Sequence, residues 1–207
     1  MPRLSRSPAL RAAVLAAVLV LDVAPALAED PPPARPLPPG PVCGDGALVG
    51  RSLPPIDGEG DCGVAAPVLL AAVAGVALQP PATVGCGAAQ ALAAWVEAVR
   101  PVFPAGLVAM TVVDAYSCRN RNREKDGKLS EHALGNAIDI AAFRRGDGST
   151  LAVGAGWKGA DDGPLLRSLH AAACGPFGTV LGPEANALHA DHLHLDVEAR
   201  RSGPYCE

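Results

Sequence analysis

No two cysteines in this 207-residue chain are spaced Cys-x-x-Cys, no apolar run reaches the roughly 20 residues of a membrane-spanning helix, and no internal repeat occurs. These absences disfavour a thiolate zinc cluster, a spanning helix and a solenoid. Basic residues are also scarce. Seventeen Lys and Arg stand against 21 Asp and Glu, and Arg3, Arg6 and Arg11 fall within the first 28 positions. The remainder is mildly acidic, which argues against a nucleic-acid partner.

The N-terminus has a charged start, an Ala/Val/Leu run from Ala12 to Val20 broken by Asp22, and the small-residue group Ala26-Leu27-Ala28. This is the layout of a secretory signal peptide over residues 1–28, with no stable membrane insertion expected after cleavage. Residues 29–41 follow, rich in proline from Pro31 to Pro41 and short of backbone donors, and they read as an extended linker. Residues 42–207 are then long enough for one well-buried domain, expected to be a monomer. All six cysteines (Cys43, Cys62, Cys86, Cys118, Cys174 and Cys206) lie after the signal segment, and an even number in an exported chain favours disulfides. Six cysteines allow 15 pairings. Proximity along the chain favours Cys43–Cys62, Cys86–Cys118 and Cys174–Cys206.

Apolar periodicity outlines the domain. Ala65 to Leu78 reads as a buried strand or strand pair, and Gly87 to Val99 as a helix capped by Thr83 or Gly85 and stopped by Pro101. Leu107 to Tyr116 and Ala137 to Phe143 read as strands, the second followed by a hairpin-type turn at Arg144 to Gly148. A helix capped by Asp161 or Asp162 runs to Cys174, and strands follow at Gly178 to Leu181 and from His192. The sum is an α+β single domain with a central, mainly antiparallel sheet flanked by helices.

Chemistry concentrates in two stretches. In Asp191-His192-Leu193-His194-Leu195-Asp196, strand alternation places His192, His194 and Asp196 on one face and Leu193, Leu195 and Val197 on the other. Two imidazoles so placed can share a metal ion, or one can ligate while the other meets substrate. The missing ligands are sought in Ser130 to Asp139, where His132 ends a polar loop and Asp139 interrupts the apolar strand Ala137 to Phe143. An aspartate there is costly to bury unless it binds a cation or pairs with Arg119 or Arg121. His189 is either a residue orienting a ligand or a loop histidine, His170 is structural within its helix, and Trp157 belongs to the core rather than to a substrate platform.

Ser130 to Asp139 resembles the Ser-x-His-x-x-Gly-x-Ala-x-Asp motif of the zinc peptidases grouped as lysostaphin, D-Ala-D-Ala metallopeptidases and hedgehog. Asp191 to His194 resembles their second motif. More broadly, Cys62-Gly63, Pro80 to Thr83, Tyr116 to Arg119, Ser130 to Asp139 and His189 to Asp196 resemble the extensin-like C-terminal domain family of bacterial exported proteins. The peptidase resemblance implies a hedgehog/DD-peptidase-like fold and a zinc ion held by His132, Asp139 and His194, with a fourth position for water. It implies His192 or Asp191 as the general base, and Arg119, with Arg121 as runner-up, as a ligand for a substrate carboxylate or developing oxyanion. The implied activity is hydrolysis of peptide bonds in peptidoglycan stem peptides or crosslinks, by a DD- or LD-carboxypeptidase or endopeptidase in the periplasm or outside the cell. The alternative is a non-catalytic zinc-containing domain that binds the cell wall.

Overall fold

Short alternating runs, broken by glycine and proline turns, give the described residues more strand than helix. The computed structural model describes residues 38–207; the expected signal peptide and residues 29–37 of the expected linker lie outside the described residues. In chain order the strands of the first half are β1 (Gly40–Val42), β2 (Asp45–Ser52), β3 (Ile56–Asp57), β4 (Gly63–Val64), β5 (Pro67–Val73) and β6 (Val76–Gly85). Helix α1 (Cys86–Val99) leads to β7 (Leu107–Asp114), β8 (Ala137–Arg145) and β9 (Thr150–Ala152). The chain closes with α2 (Val153–Gly156), α3 (Gly163–Ala173), β10 (Thr179–Leu181), β11 (Leu193–Asp196) and β12 (Tyr205–Cys206).

One mixed sheet runs β1-β2-β5-β6-β7-β8-β11-β10-β12, with β9 paired to β8, while β3 and β4 form a separate hairpin. Neighbours are antiparallel except at β6–β7 and β10–β12. The parallel β6–β7 pair needs a crossover, and α1 supplies it. Its buried stripe of Leu92, Trp95, Val96 and Val99 joins Leu70, Leu78, Met110, Ile138, Ile140, Leu193 and Leu195 in one hydrophobic cluster. Helix α3 adds Leu166 and Leu169, and Trp95 Nε1 donates to the Leu169 carbonyl at 3.0 Å. Trp157 is 3 % exposed and lies edge-on to His170, as a core residue should.

The run expected as a strand or strand pair is a pair, β5 and β6 meeting at Ala74-Gly75. Gly85 precedes α1 as its cap residue without a side-chain bond, and Asp162 occupies that position before α3. The N-terminal end differs from expectation. The first strand begins at Gly40, inside the expected linker, and Pro41 is accommodated because β1 is an edge strand.

Three disulfides form, Cys43–Cys86, Cys62–Cys118 and Cys174–Cys206. Only the last matches the pairing expected from chain proximity. The eight-residue strand β2 carries the chain about 26 Å between Cys43 and the β3–β4 hairpin. Cys43 is left against the start of α1, and Cys62 against the loop after β7. Among the described residues no helix is long and apolar enough to cross a membrane, and three disulfides fit an oxidising compartment.

Candidate metal centre

Strand alternation sorts the site residues from the core. In β8, Ile138 and Ile140 enter the hydrophobic cluster and Asp139 points to the opposite face; in β11, Leu193 and Leu195 do the same and leave His194 and Asp196 beside Asp139. The antiparallel register places His194 directly across from Asp139. His132 comes from a 3-10 turn, Glu131–Leu134, which ends at Gly135 with φ 68°. A side chain at Gly135 would strike Val64 Cγ2 at 2.8 Å, and the Gly135 carbonyl accepts the Gly85 N–H at 2.8 Å. Glycine is therefore required both by the left-handed backbone and by the close approach of two segments.

His132, Asp139 and His194 are 0, 4 and 9 % exposed. Their facing atoms form a triangle: His132 Nε2 to His194 Nδ1 is 3.1 Å, His194 Nδ1 to Asp139 Oδ1 is 2.8 Å, and His132 Nε2 to Asp139 Oδ1 is 3.2 Å. This buried group could hold a metal ion. The outer nitrogens of both rings are already engaged. His132 Nδ1 donates to the Ala115 carbonyl at 2.6 Å, and His194 Nε2 donates to Asp196 Oδ2 at 3.0 Å. Two inner nitrogens therefore converge on one carboxylate oxygen. A single proton can bridge only two corners of such a triangle, whereas a cation serves all three. A tetrahedral metal with ligands at about 2.0–2.1 Å sets its donors about 3.3 Å apart, close to the observed edges. The backing of each ligand ring by an oxygen acceptor is likewise the usual support of a metal-binding histidine.

The electrostatics agree with a site that concentrates negative charge. Burial opposes ionisation of Asp139, but the imidazoles of His132 and His194 outweigh it and hold its carboxyl well below the usual range. Burial likewise opposes the charged form of His194, yet the carboxylates of Asp139 and Asp196 raise its pKa to about 9. Strand alternation places Asp196 on the same face as His194, and the structure adds its role as the acceptor behind the His194 ring. The available signal was the third polar residue in the same alternating series.

His192 precedes β11 and reaches the other carboxylate oxygen, with Nε2 3.5 Å from Asp139 Oδ2. Its Nδ1 donates to Asp191 Oδ1 at 2.9 Å, so the two residues weighed as alternative bases form a single pair. The strand starts only at Leu193, which frees Asp191 from the alternation that would have turned it away. Its side chain is 83 % exposed. His189 stacks obliquely on His192 and His194, with ring centroids 5.4 and 5.7 Å away. Burial, then the neighbouring histidines, lower its pKa to about 4. It belongs to the site, whereas His170 packs on Trp157 away from it.

These groups line a cleft of about 510 Å³. Arg119 and Arg121 stand on its wall, but neither pairs with Asp139. Arg119 Nη2 binds Asp114 Oδ2 at 2.8 Å and its Nη1 lies 3.4 Å from Ser130 Oγ. Arg121 Nη2 binds Glu198 at 2.7 Å and Glu131 at 3.4 Å. The salt-bridge explanation of the buried aspartate is thus replaced by the histidine triangle.

Comparison with known proteins returns no significant match among curated proteins or solved structures. The family model described as extensin-like protein C-terminus does match, over residues 45–207, and with nearly all of the folded domain covered the chain belongs to that family.

Proposed function

We propose that the protein is an exported zinc-dependent peptidase that hydrolyses peptide bonds of peptidoglycan stem peptides or crosslinks, in the periplasm or outside the cell. The observation that carries this reading is the buried triangle of two imidazole nitrogens and one carboxylate oxygen at the floor of an open cleft. The motif resemblance extends it to the hedgehog/DD-peptidase group and its fold. His132, Asp139 and His194 would hold the ion. When bound, zinc polarises a carbonyl and brings the pKa of its water to about 7.

The chain's own groups supply the rest. His192 Nε2 takes the proton that the attacking water gives up and passes it to the leaving amine nitrogen. Asp191 keeps the imidazole in the tautomer that leaves Nε2 free and stabilises the imidazolium that forms, in the manner of a carboxylate behind a catalytic histidine. Arg119, held by Asp114, faces the cleft as a donor to a substrate carboxylate or carbonyl oxygen. Neutral His189 closes the side of the cleft next to His192.

Incubation of the zinc-loaded protein with purified sacculi tests the proposal. Soluble muropeptides that appear with metal and vanish with chelator are expected. Retention on sacculi without any bond cleavage would instead establish a wall-binding domain.

A further inference from the structure

Asp139 has two carboxylate oxygens, and they face different ways. Oδ1 closes the triangle with His132 and His194, whereas Oδ2 lies 3.5 Å from His192 Nε2. His192 repeats the construction of the first site, since its outer N–H is held by a carboxylate oxygen and its inner nitrogen faces another. His189 stands beside it, with ring centroids 5.4 Å apart. Its Nδ1 lies 2.9 Å from Asn186 Oδ1, and that oxygen also accepts the Leu188 backbone N–H. The amide is thereby fixed as an acceptor, so His189 Nδ1 is the donor and Nε2 keeps its lone pair.

We propose that Asp139 bridges two cation subsites, and that a second zinc ion binds between Asp139 Oδ2 and His192 Nε2, beside His189. This rests on reading His132, Asp139 and His194 as a metal centre. The second subsite has fewer protein donors than the first and opens on the cleft, so it fills after the first and more weakly. Its occupancy ties up the nitrogen assigned to proton transfer. Excess zinc therefore switches the site off while the first ion stays in place, and release of the second ion restores it.

Equilibrium dialysis of the whole protein against rising zinc, with bound metal measured by elemental analysis, tests this without an activity assay. Two equivalents are expected, one tight and one weaker. His192→Gln should keep the first and lose the second, His189→Gln should weaken the second, and Asp139→Asn should lose both. Cobalt offers a check on bridging, because two ions on one carboxylate couple magnetically and the cobalt spin signal should fall as the second equivalent enters. Saturation at one equivalent overturns the second subsite and leaves the first reading standing. No uptake at all overturns both. A second equivalent that survives His192→Gln, or a cobalt signal that grows in proportion to the second equivalent, marks an adventitious surface site and overturns the inference.

Discussion

Asp196 stands behind the triangle and fixes the ring whose nitrogen completes it. Asp196→Asn keeps the shape and removes the charge behind His194. Metal affinity should fall about 10- to 100-fold, measured by competition with a chromophoric chelator. His192→Ala and Asp191→Ala separate two roles at the neighbouring position. His192→Ala should retain the first zinc and abolish muropeptide release; Asp191→Ala should retain zinc and reduce release by less, because Asp191 acts through the imidazole. Zinc lost on His192→Ala would reverse the assignment of the two histidines. At this scale much was legible. Asp139 was recognisable as a charge in an apolar strand, and His194 as half of an alternating pair. That His192 and Asp191 form a single pair was not legible, because it depends on the strand starting only at Leu193, and that start depends on pairing with β8.

Single elements position these residues, and two of them offer tests. The turn Glu131–Leu134 delivers His132 only because Gly135 adopts a left-handed conformation against Val64 and Gly85. Gly135→Ala should cost about 1–2 kcal/mol for the backbone alone, with the clash in addition, seen as a lower urea midpoint and weaker metal binding. Helix α3 carries His170, whose ring lies 3.2 Å from the Glu207 carbonyl and faces Trp157, with Glu184 nearby. Burial lowers its pKa below the ordinary histidine value of 6.5. Above that pH both folded and unfolded states are neutral here. Below it the unfolded chain takes up a proton that the folded one resists, so stability falls as the solution is acidified. His170→Gln should therefore flatten the loss of melting temperature between pH 7.5 and 5.5 relative to the unmodified protein. Helix α1 and strands β7 and β8 were readable from periodicity. Strands β1 and β2 were not, because their glycine-rich and proline-containing sequences carry little alternation and gain strand structure by pairing with one another and with β5.

For the whole molecule, the candidate metal centre and the disulfides act on different parts of the fold. Cys43–Cys86 anchors the β1–β2 edge to α1, Cys62–Cys118 ties the β3–β4 hairpin to the loop that carries Arg119, and Cys174–Cys206 ties α3 to β12. The first two pairings could not be read from the sequence, since separations of 43 and 56 residues are decided by where strands end. A metal held by His132, Asp139 and His194 would join β8, β11 and the turn before β8. Zinc at about 100 times its dissociation constant should stabilise the fold by about 2.7 kcal/mol. For a domain of this size that raises the melting temperature by about 5–10 °C, and a chelator should reverse the rise in a calorimetric scan.

The cross-strand partnership of Asp139 with His194 has one more consequence. A slip of β8 against β11 by a single residue would turn Ile138 and Ile140 toward water and bury Asp139 among leucines, dispersing the three donor atoms. Only a correctly registered sheet brings those donors close enough to hold an ion. Metal uptake would thus count molecules in which β8 and β11 have met in step.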